Sequence, residues 1–487
     1  MDALTSKINL LPGAQYTCFI VPSLFSEQEC KGLLTAEIRN SFQKAITNYP
    51  TYYRNNDRFV LDNEDLAARL FSKVRPYLPQ TIEIDSKIAA ENGTWNLLEL
   101  NTRLRFCKYS ANQYFNRHLD GVHYKAEHIQ SKLTFMIYLN SATEFEGGNT
   151  QFFKTKDATD VWASYTPVQG DLIVFDHNVW HEGAMLLKGE KFVLRSDIIY
   201  SRDAEESASM PFSGHLGYIW CLLKFDGDKI LSGGRDKEIK CWDSHGGFRQ
   251  SLSGHQHSIL AMAKLDDDTF ITGSRDRQIL VWKQFKLVKS IQIHAAVVLS
   301  LCSLGNGVFA SGSGDNTIKI ADTNGAVLKT LTEHKNWVWQ VIDLGSGFIA
   351  SCSEDTTIKI WNVDAGVSVS TIYTKVPVIS LAFNAATRQL ICGDLEGEIS
   401  MIICAEDFEQ LKVTSFKGHS GIIRAIKNID DKRFATGGED NKVKIWGSDQ
   451  NLLAEFEHEN FVQSIEILDS NIIISASYDG TIKTWTI

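Results

Sequence analysis

Three residues of this 487-residue chain could hold one metal ion together: His118 and Asp120, two apart in NRHLDG, and His181, sixty-one residues later in VWHEG. Residues two apart on a strand point to the same side, so an imidazole and a carboxylate can share an ion while a third ligand arrives from a neighbouring strand. Two imidazoles and one carboxylate form the facial set that suits non-haem Fe(II), and they leave three coordination positions open for other molecules. His123, His128 and His177 stand nearby, but their spacings make no comparable set.

The segments around these residues must supply the frame. SEQE at Ser26 to Glu29 reads as a capping box opening a helix, and Leu66, Leu70, Phe71 and Val74 fall on one face of a second helix. Strands are predicted at 133–139, 171–176 and 191–200, where β-branched and aromatic residues concentrate between Gly-rich and polar segments. The segment YYRNNDRF, with Arg54 and Arg58, reads as a loop, and Arg103 and Arg105 alternate on a strand.

The second half is periodic. Acidic residues in tight-turn contexts recur at Asp236, Asp276, Asp315, Asp355, Glu396, Asp440 and Asp479, spaced 39 to 44 residues apart. Twenty-one residues before six of them stands a histidine (His215, His255, His294, His334, His419, His458), and six residues after five of them a tryptophan (Trp242, Trp282, Trp361, Trp446, Trp485). A Ser or Thr precedes six of the acids by four residues. Such a set can satisfy its own buried hydrogen bonds, which makes these histidines structural. The fifth repeat departs, with Lys375 and Val376 in the histidine region, Cys392 for the hydroxyl and Ile402 for the tryptophan, and NAATRQ reads as a lengthened hairpin. Trp220, Trp339, Arg424 and Gln463 share one offset, five residues after the histidine, where they would either face one rim of the assembly or pack inside it.

The repeats resemble the WD-repeat family over residues 206–487, which implies a seven-bladed β-propeller. Its last blade would take an outer closing strand from residues 203–213, leaving the propeller proper at 214–487. Residues 1–202 resemble prolyl-4-hydroxylase-like dioxygenases dependent on Fe(II) and 2-oxoglutarate, through LNTRLRFCKYSANQYFNRHLDG, LTFMIYLNSATEFEGGNTQFF, VQGDLIVFDHNVWHEG and GEKFVLRSDIIY. The expected fold is therefore mainly β in two domains: a double-stranded β-helix of jelly-roll type with flanking helices, then the propeller. The resemblance implies His118, Asp120 and His181 as iron ligands, O2 and 2-oxoglutarate as cosubstrates, and ascorbate as a candidate accessory reductant. A basic residue after the distal histidine would bind the far carboxylate of 2-oxoglutarate. Lys191, ten residues on, matches the spacing of collagen-type enzymes, whereas Arg195, fourteen on, offers bidentate recognition, so both stand as candidates. Tyr138 matches a position whose hydroxyl helps hold that carboxylate, and Tyr109 an aromatic near the iron. YYRNNDRF would be a substrate lid, making Arg54 and Arg58 substrate-contact candidates, with Arg103 and Arg105 lining the cleft.

The expected function is hydroxylation of a protein side chain, prolyl by resemblance, on a partner that the propeller recruits. The alternatives are a catalytically silent scaffold, or a dioxygenase acting on a nucleic-acid base or a small molecule. With 49 Lys and Arg against 59 Asp and Glu, the net charge of -10 provides no electrostatic capture of nucleic-acid phosphate or anionic membrane. No apolar run approaches the roughly 18 residues of a membrane span, and the start of the chain lacks the order of a secretory signal. Nine scattered cysteines without a CxxC pair fit a reducing, cytoplasmic compartment.

Overall fold

The computed structural model describes residues 6–44, 53–85, 91–203, 212, 214–405, 408 and 411–487. The chain divides into two compact units, Met1–Glu205 and Glu206–Ile487.

In the first unit α1 (Glu27–Leu33) starts on the expected capping box: the Glu29 amide donates to Ser26 Oγ at 3.2 Å and the Ser26 amide to the Glu29 carboxylate at 2.8 Å. A short α2 (Ala36–Asn40) follows on a Thr35 cap, and α3 (Glu64–Val74) buries Ala67, Leu70 and Val74, with Leu66 and Phe71 against the same core. The site is carried by β1 (Asp57–Asp62), β2 (Arg103–Ser110), β3 (Phe115–His118), β4 (Ile129–Tyr138), β5 (Thr150–Phe153), β6 (Leu172–Asp176), β7 (Trp180–Gly183) and β8 (Leu186–Ser201). Strands β6, β4, β8, β2 and β1 lie side by side in a large antiparallel sheet, and β5, β7 and β3 belong to a smaller one of four strands.

Near-continuous burial along β4 and β8 has a simple cause, since both faces of the large sheet are covered. One face packs Leu133, Phe135, Leu194 and Ile198 with α3 and Trp95, and the other packs Cys107, Tyr109 and Val193 against Phe115 and Phe152 of the small sheet. Two antiparallel sheets facing each other, with helices outside, make the jelly-roll arrangement. YYRNNDRF differs from expectation: Arg58 belongs to β1 within the large sheet, Arg54 bridges Phe115, and Tyr52 lies outside the described residues.

The second unit is a ring of seven sheets, six of four strands and a last one of three among the described residues. The first strand of each blade packs on that of the next, and Val462–Ile467 of the seventh returns to Ile219–Lys224 of the first, where the Leu222 amide donates to Ser464 Oγ at 3.1 Å. Residues 204–211 and 213 of the expected closing strand fall outside the described residues.

Blade four displays the recurring network. The Asp355 carboxylate only accepts, so His334 carries its proton on Nδ1, 2.8 Å away, and Nε2 accepts from Ser351 Oγ at 2.7 Å. Ser351 Oγ in turn accepts from Trp361 Nε1 at 2.8 Å. The same chain recurs through His215, His255, His419 and His458, and His294 has it without the tryptophan. In blade five Cys392 and Ile402 are simply core, and Asp394, rather than Glu396, holds the turn by accepting from the Glu396 and Glu398 amides at 2.9 and 2.8 Å. NAATRQ forms no longer hairpin than its counterparts, and the extra residues lie between Glu398–Cys404 and Leu411–Lys417.

Burial pushes the six paired aspartates up in pKa, and the hydrogen bonds from their histidines overcome this and hold them below the ordinary value. Their contribution to stability is complete above about pH 4 and is lost as pH falls through the depressed values. In urea denaturation the deficit of Asp355→Asn relative to the parent chain is therefore expected to be largest at neutral pH and to shrink at pH 3. Ser351→Ala leaves an indole N–H and an imidazole lone pair unsatisfied and is expected to cost about 2–4 kcal/mol, more than Cys392→Ala, which breaks no such chain.

Candidate metal centre

β3 ends on His118 and β7 carries His181, and antiparallel register places the two directly opposite one another. Asp120 comes from the turn beyond β3, not from the strand itself, with its amide donating to the His177 carbonyl at 3.1 Å. One donor atom from each of the three buried side chains lies within 4.8 Å of the others. His118 Nδ1 donates to the Asn116 carbonyl at 2.6 Å and His181 Nδ1 to the Val179 carbonyl at 2.9 Å. Both Nε2 lone pairs are thereby turned to the carboxylate, 3.5 Å from Asp120 Oδ1 and 3.6 Å from Oδ2. His118 Nε2 is buried and makes no hydrogen bond among the described residues, the condition of an atom kept for a metal.

Electrostatics puts the three groups in the protonation state that a metal requires. Burial lowers His118 and brings His181 down to about 3, so both rings are neutral. Burial also pushes the Asp120 carboxyl up, but the Arg195 guanidinium against it holds it well below the usual carboxylate range. Thr134 Oγ1 donates to its other oxygen. Two neutral imidazoles and an ionised carboxylate can bind a divalent ion without first releasing protons.

The two cation candidates separate. Lys191, only 2% exposed, donates from Nζ to the Gly148 carbonyl at 2.5 Å and lies 4.4 Å from the centre of the Tyr109 ring. Burial lowers it to about 8. Gly148 has φ +70°, and a Cβ there would meet Leu186 Cδ1 at 2.7 Å, so this close approach needs glycine. Thr150 lines the same cavity and shares a 2.7 Å hydrogen bond with the buried Tyr138 hydroxyl. The sequence reading missed Thr150, although two-residue alternation with the buried Phe152 would have turned it inward.

Arg54, Arg58 and Arg105 line the cavity with His118 and His181. Arg105 pairs with Asp197 at 2.8 Å. Arg103 does not join them: it is exposed and faces Asp62 at 3.8 Å, because its cross-strand neighbour lies at the outer end of β1. His177 is buried behind the site, and its ring nitrogens make no hydrogen bond among the described residues.

Residues 104–196, which contain the histidines, Asp120, Lys191 and Arg195, match the family model described as 2OG-Fe(II) oxygenase superfamily. The WD domain, G-beta repeat model matches residues 207–243, 246–283, 285–322, 325–362, 410–447 and 450–486. The chain joins a 2OG-Fe(II) oxygenase domain to WD repeats. The segment between the fourth and fifth matches holds the first three strands of the departing fifth blade, which still forms a four-stranded sheet on its apolar residues. Ribosome biogenesis protein YTM1 of Saccharomyces cerevisiae is 28% identical over 134 residues, covering 22% of this chain and 28% of that protein. WD repeat-containing protein 1 of Bos taurus is 29% identical over 118 residues, covering 23% and 19% of the two chains. The chain thus spans less than a third of the length of these curated relatives. The solved WD40 β-propeller domain of Doa1 superposes with a TM-score of 0.51 at 22% identity, covering 56% of this chain and 95% of that one, a likeness of fold.

The oxygenase domain is expected to take up one Mn(II) or Fe(II) per chain under argon, measured by metal analysis after desalting. Asp120→Ala or His181→Ala should reduce occupancy to background, and Ser351→Ala in the propeller should not.

Proposed function

We propose that the oxygenase domain is an Fe(II)- and 2-oxoglutarate-dependent dioxygenase that hydroxylates a side chain, prolyl by family resemblance, of a protein recruited by the propeller. The observation carrying this reading is the buried, correctly protonated His118, Asp120 and His181, with Lys191, Tyr109 and Thr150 lining the same cavity as the two histidines. Those three ligands would hold iron, which supplies the activation of O2. Lys191, with the hydroxyls of Thr150 and Tyr138 behind it, would bind the far carboxylate of 2-oxoglutarate. Arg195 would keep Asp120 ionised and oriented, so the two cations have different work. One atom of O2 passes to succinate as 2-oxoglutarate loses CO2, and the other converts a substrate C–H to C–OH. The two electrons from each organic partner balance the reduction of O2.

Phe115, Phe152 and Phe175 against the histidine rings keep water from the reacting centre. WD propellers serve as rigid binding platforms, and tethering one to a catalytic domain raises the local concentration of its partner. An intracellular, reducing location fits nine free cysteines, most of them buried. No helix among the described residues is long and apolar enough to cross a membrane.

With Fe(II), 2-oxoglutarate and ascorbate, the full chain is expected to release succinate, and His118→Ala to stop it. Equal succinate from both would leave the scaffold reading. Lys191→Ala is expected to raise the KM for 2-oxoglutarate about 10- to 100-fold, the equivalent of the roughly 1.5–3 kcal/mol of one charged hydrogen bond. Arg195→Ala should instead weaken metal retention.

A further inference from the structure

Each blade of the propeller carries a β-bulge near the start of its inner strand, and a bulge re-aims the side chain of its extra residue. In blades two, three and five that residue is Leu260, Leu299 or Ile379, whose side chain needs no hydrogen bond. In blades four and six it is a donor that the blade itself satisfies. Trp339 Nε1 donates to the Glu354 carboxylate at 2.8 Å, and Arg424 Nε and Nη2 donate to Glu439 at 3.1 and 2.6 Å. Both glutamates stand fifteen residues after the bulge, where their amides close it by donating to the Trp337 and Ile422 carbonyls at 2.9 and 2.8 Å.

Blades one and seven are neighbours in the closed ring, and both lack that acceptor. Fifteen residues after Trp220 stands Arg235, and fifteen after Gln463 stands Tyr478. Trp220 Nε1 and Gln463 Nε2 are buried, and neither has a hydrogen-bond partner among the described residues. Tyr478 ties the two positions together. Its amide donates to the Phe461 carbonyl at 2.9 Å, and its ring lies 5.1 Å from that of Trp220 and stacks on that of Tyr218 with centroids 4.2 Å apart. Trp220, Tyr218 and Tyr478 are themselves partly exposed, so the two donors sit just inside the protein surface.

A buried donor without an acceptor is costly, and native proteins keep few of them. An indole N–H can only donate, so its acceptor has to come from outside the blade. The chain's own answer at the equivalent positions of blades four and six is a carboxylate. Arg235 gives blade one the opposite charge to Glu354 and Glu439 at the matching place, which favours an anion over a neutral carbonyl. Resting on the reading of the propeller as a recruiting platform, we propose that blades one and seven bind an acidic segment of the partner protein, with one Asp or Glu carboxylate accepting from both Trp220 Nε1 and Gln463 Nε2.

The test is a selection on the immobilised full chain with a degenerate peptide library in which Asp, Glu, Asn, Gln and phosphoserine are equally represented. Recovery of Asp or Glu about tenfold over Asn and Gln is expected. It should be lost in Trp220→Phe, which removes the N–H and keeps a ring, and in Gln463→Glu, which sets a carboxylate where the donor stood, but retained in Trp339→Phe. On the parent chain isotopically labelled at its tryptophan nitrogens, the recovered acidic peptide should move the indole resonance that Trp220→Phe deletes and leave that of Trp339 in place. Equal recovery of acids and amides would leave the two donors to water and overturn the proposal. So would preference for phosphoserine over the carboxylates, acid enrichment surviving in both variants, or a Trp220 resonance that stays still, and in each of these cases the propeller still recruits. A chain that retains no peptide is a separate result, which refutes the recruiting reading and takes this inference with it.

Discussion

Asp120 stays ionised in a buried cavity because Arg195 stands against it, and the rest of the candidate site depends on that ion pair. Without the guanidinium, burial would favour a protonated carboxyl, and a protonated carboxyl binds metal poorly. The pair also explains why the large sheet must face the small one here. Arg195 comes from the centre of the first and the histidines from the second, so the site exists only when both sheets are packed.

Both units bury histidines beside aspartates, and they differ in what happens at the other ring nitrogen. In the propeller Nδ1 donates to the aspartate and Nε2 accepts from a Ser or Thr hydroxyl, which closes the chain of donors and acceptors and locks a turn. In the oxygenase domain Nδ1 donates to a backbone carbonyl, and Nε2 is left facing the carboxylate without a hydroxyl. The same residue pair is sealed in one place and open in the other. Openness is what gives the second arrangement its capacity for chemistry.

Much of this was legible in the sequence, for identifiable reasons. Seven imperfect copies of one pattern made the propeller visible, and the candidate triad was visible because His118 and Asp120 are close in the chain. What was not legible depends on neighbours distant in sequence. Arg103 and Arg105 alternate identically on β2, yet one meets Asp62 at the surface and the other Asp197 in the cavity. Lys191 and Arg195 share one face of β8, and only the small sheet and the Asp120 turn give them different surroundings. Asp394 takes over the turn of blade five because backbone geometry, rather than repeat alignment, decides which carboxylate reaches the amides.

The central claim is that two imidazole nitrogens and one carboxylate of this chain meet on a single ion. X-ray absorption at the iron edge of the full chain, loaded with Fe(II) under argon, tests it most directly. Two imidazole ligands with the remaining positions filled by oxygen are expected, falling to one imidazole in His181→Ala. A spectrum with no imidazole scattering, or one unchanged by that substitution, would contradict the account.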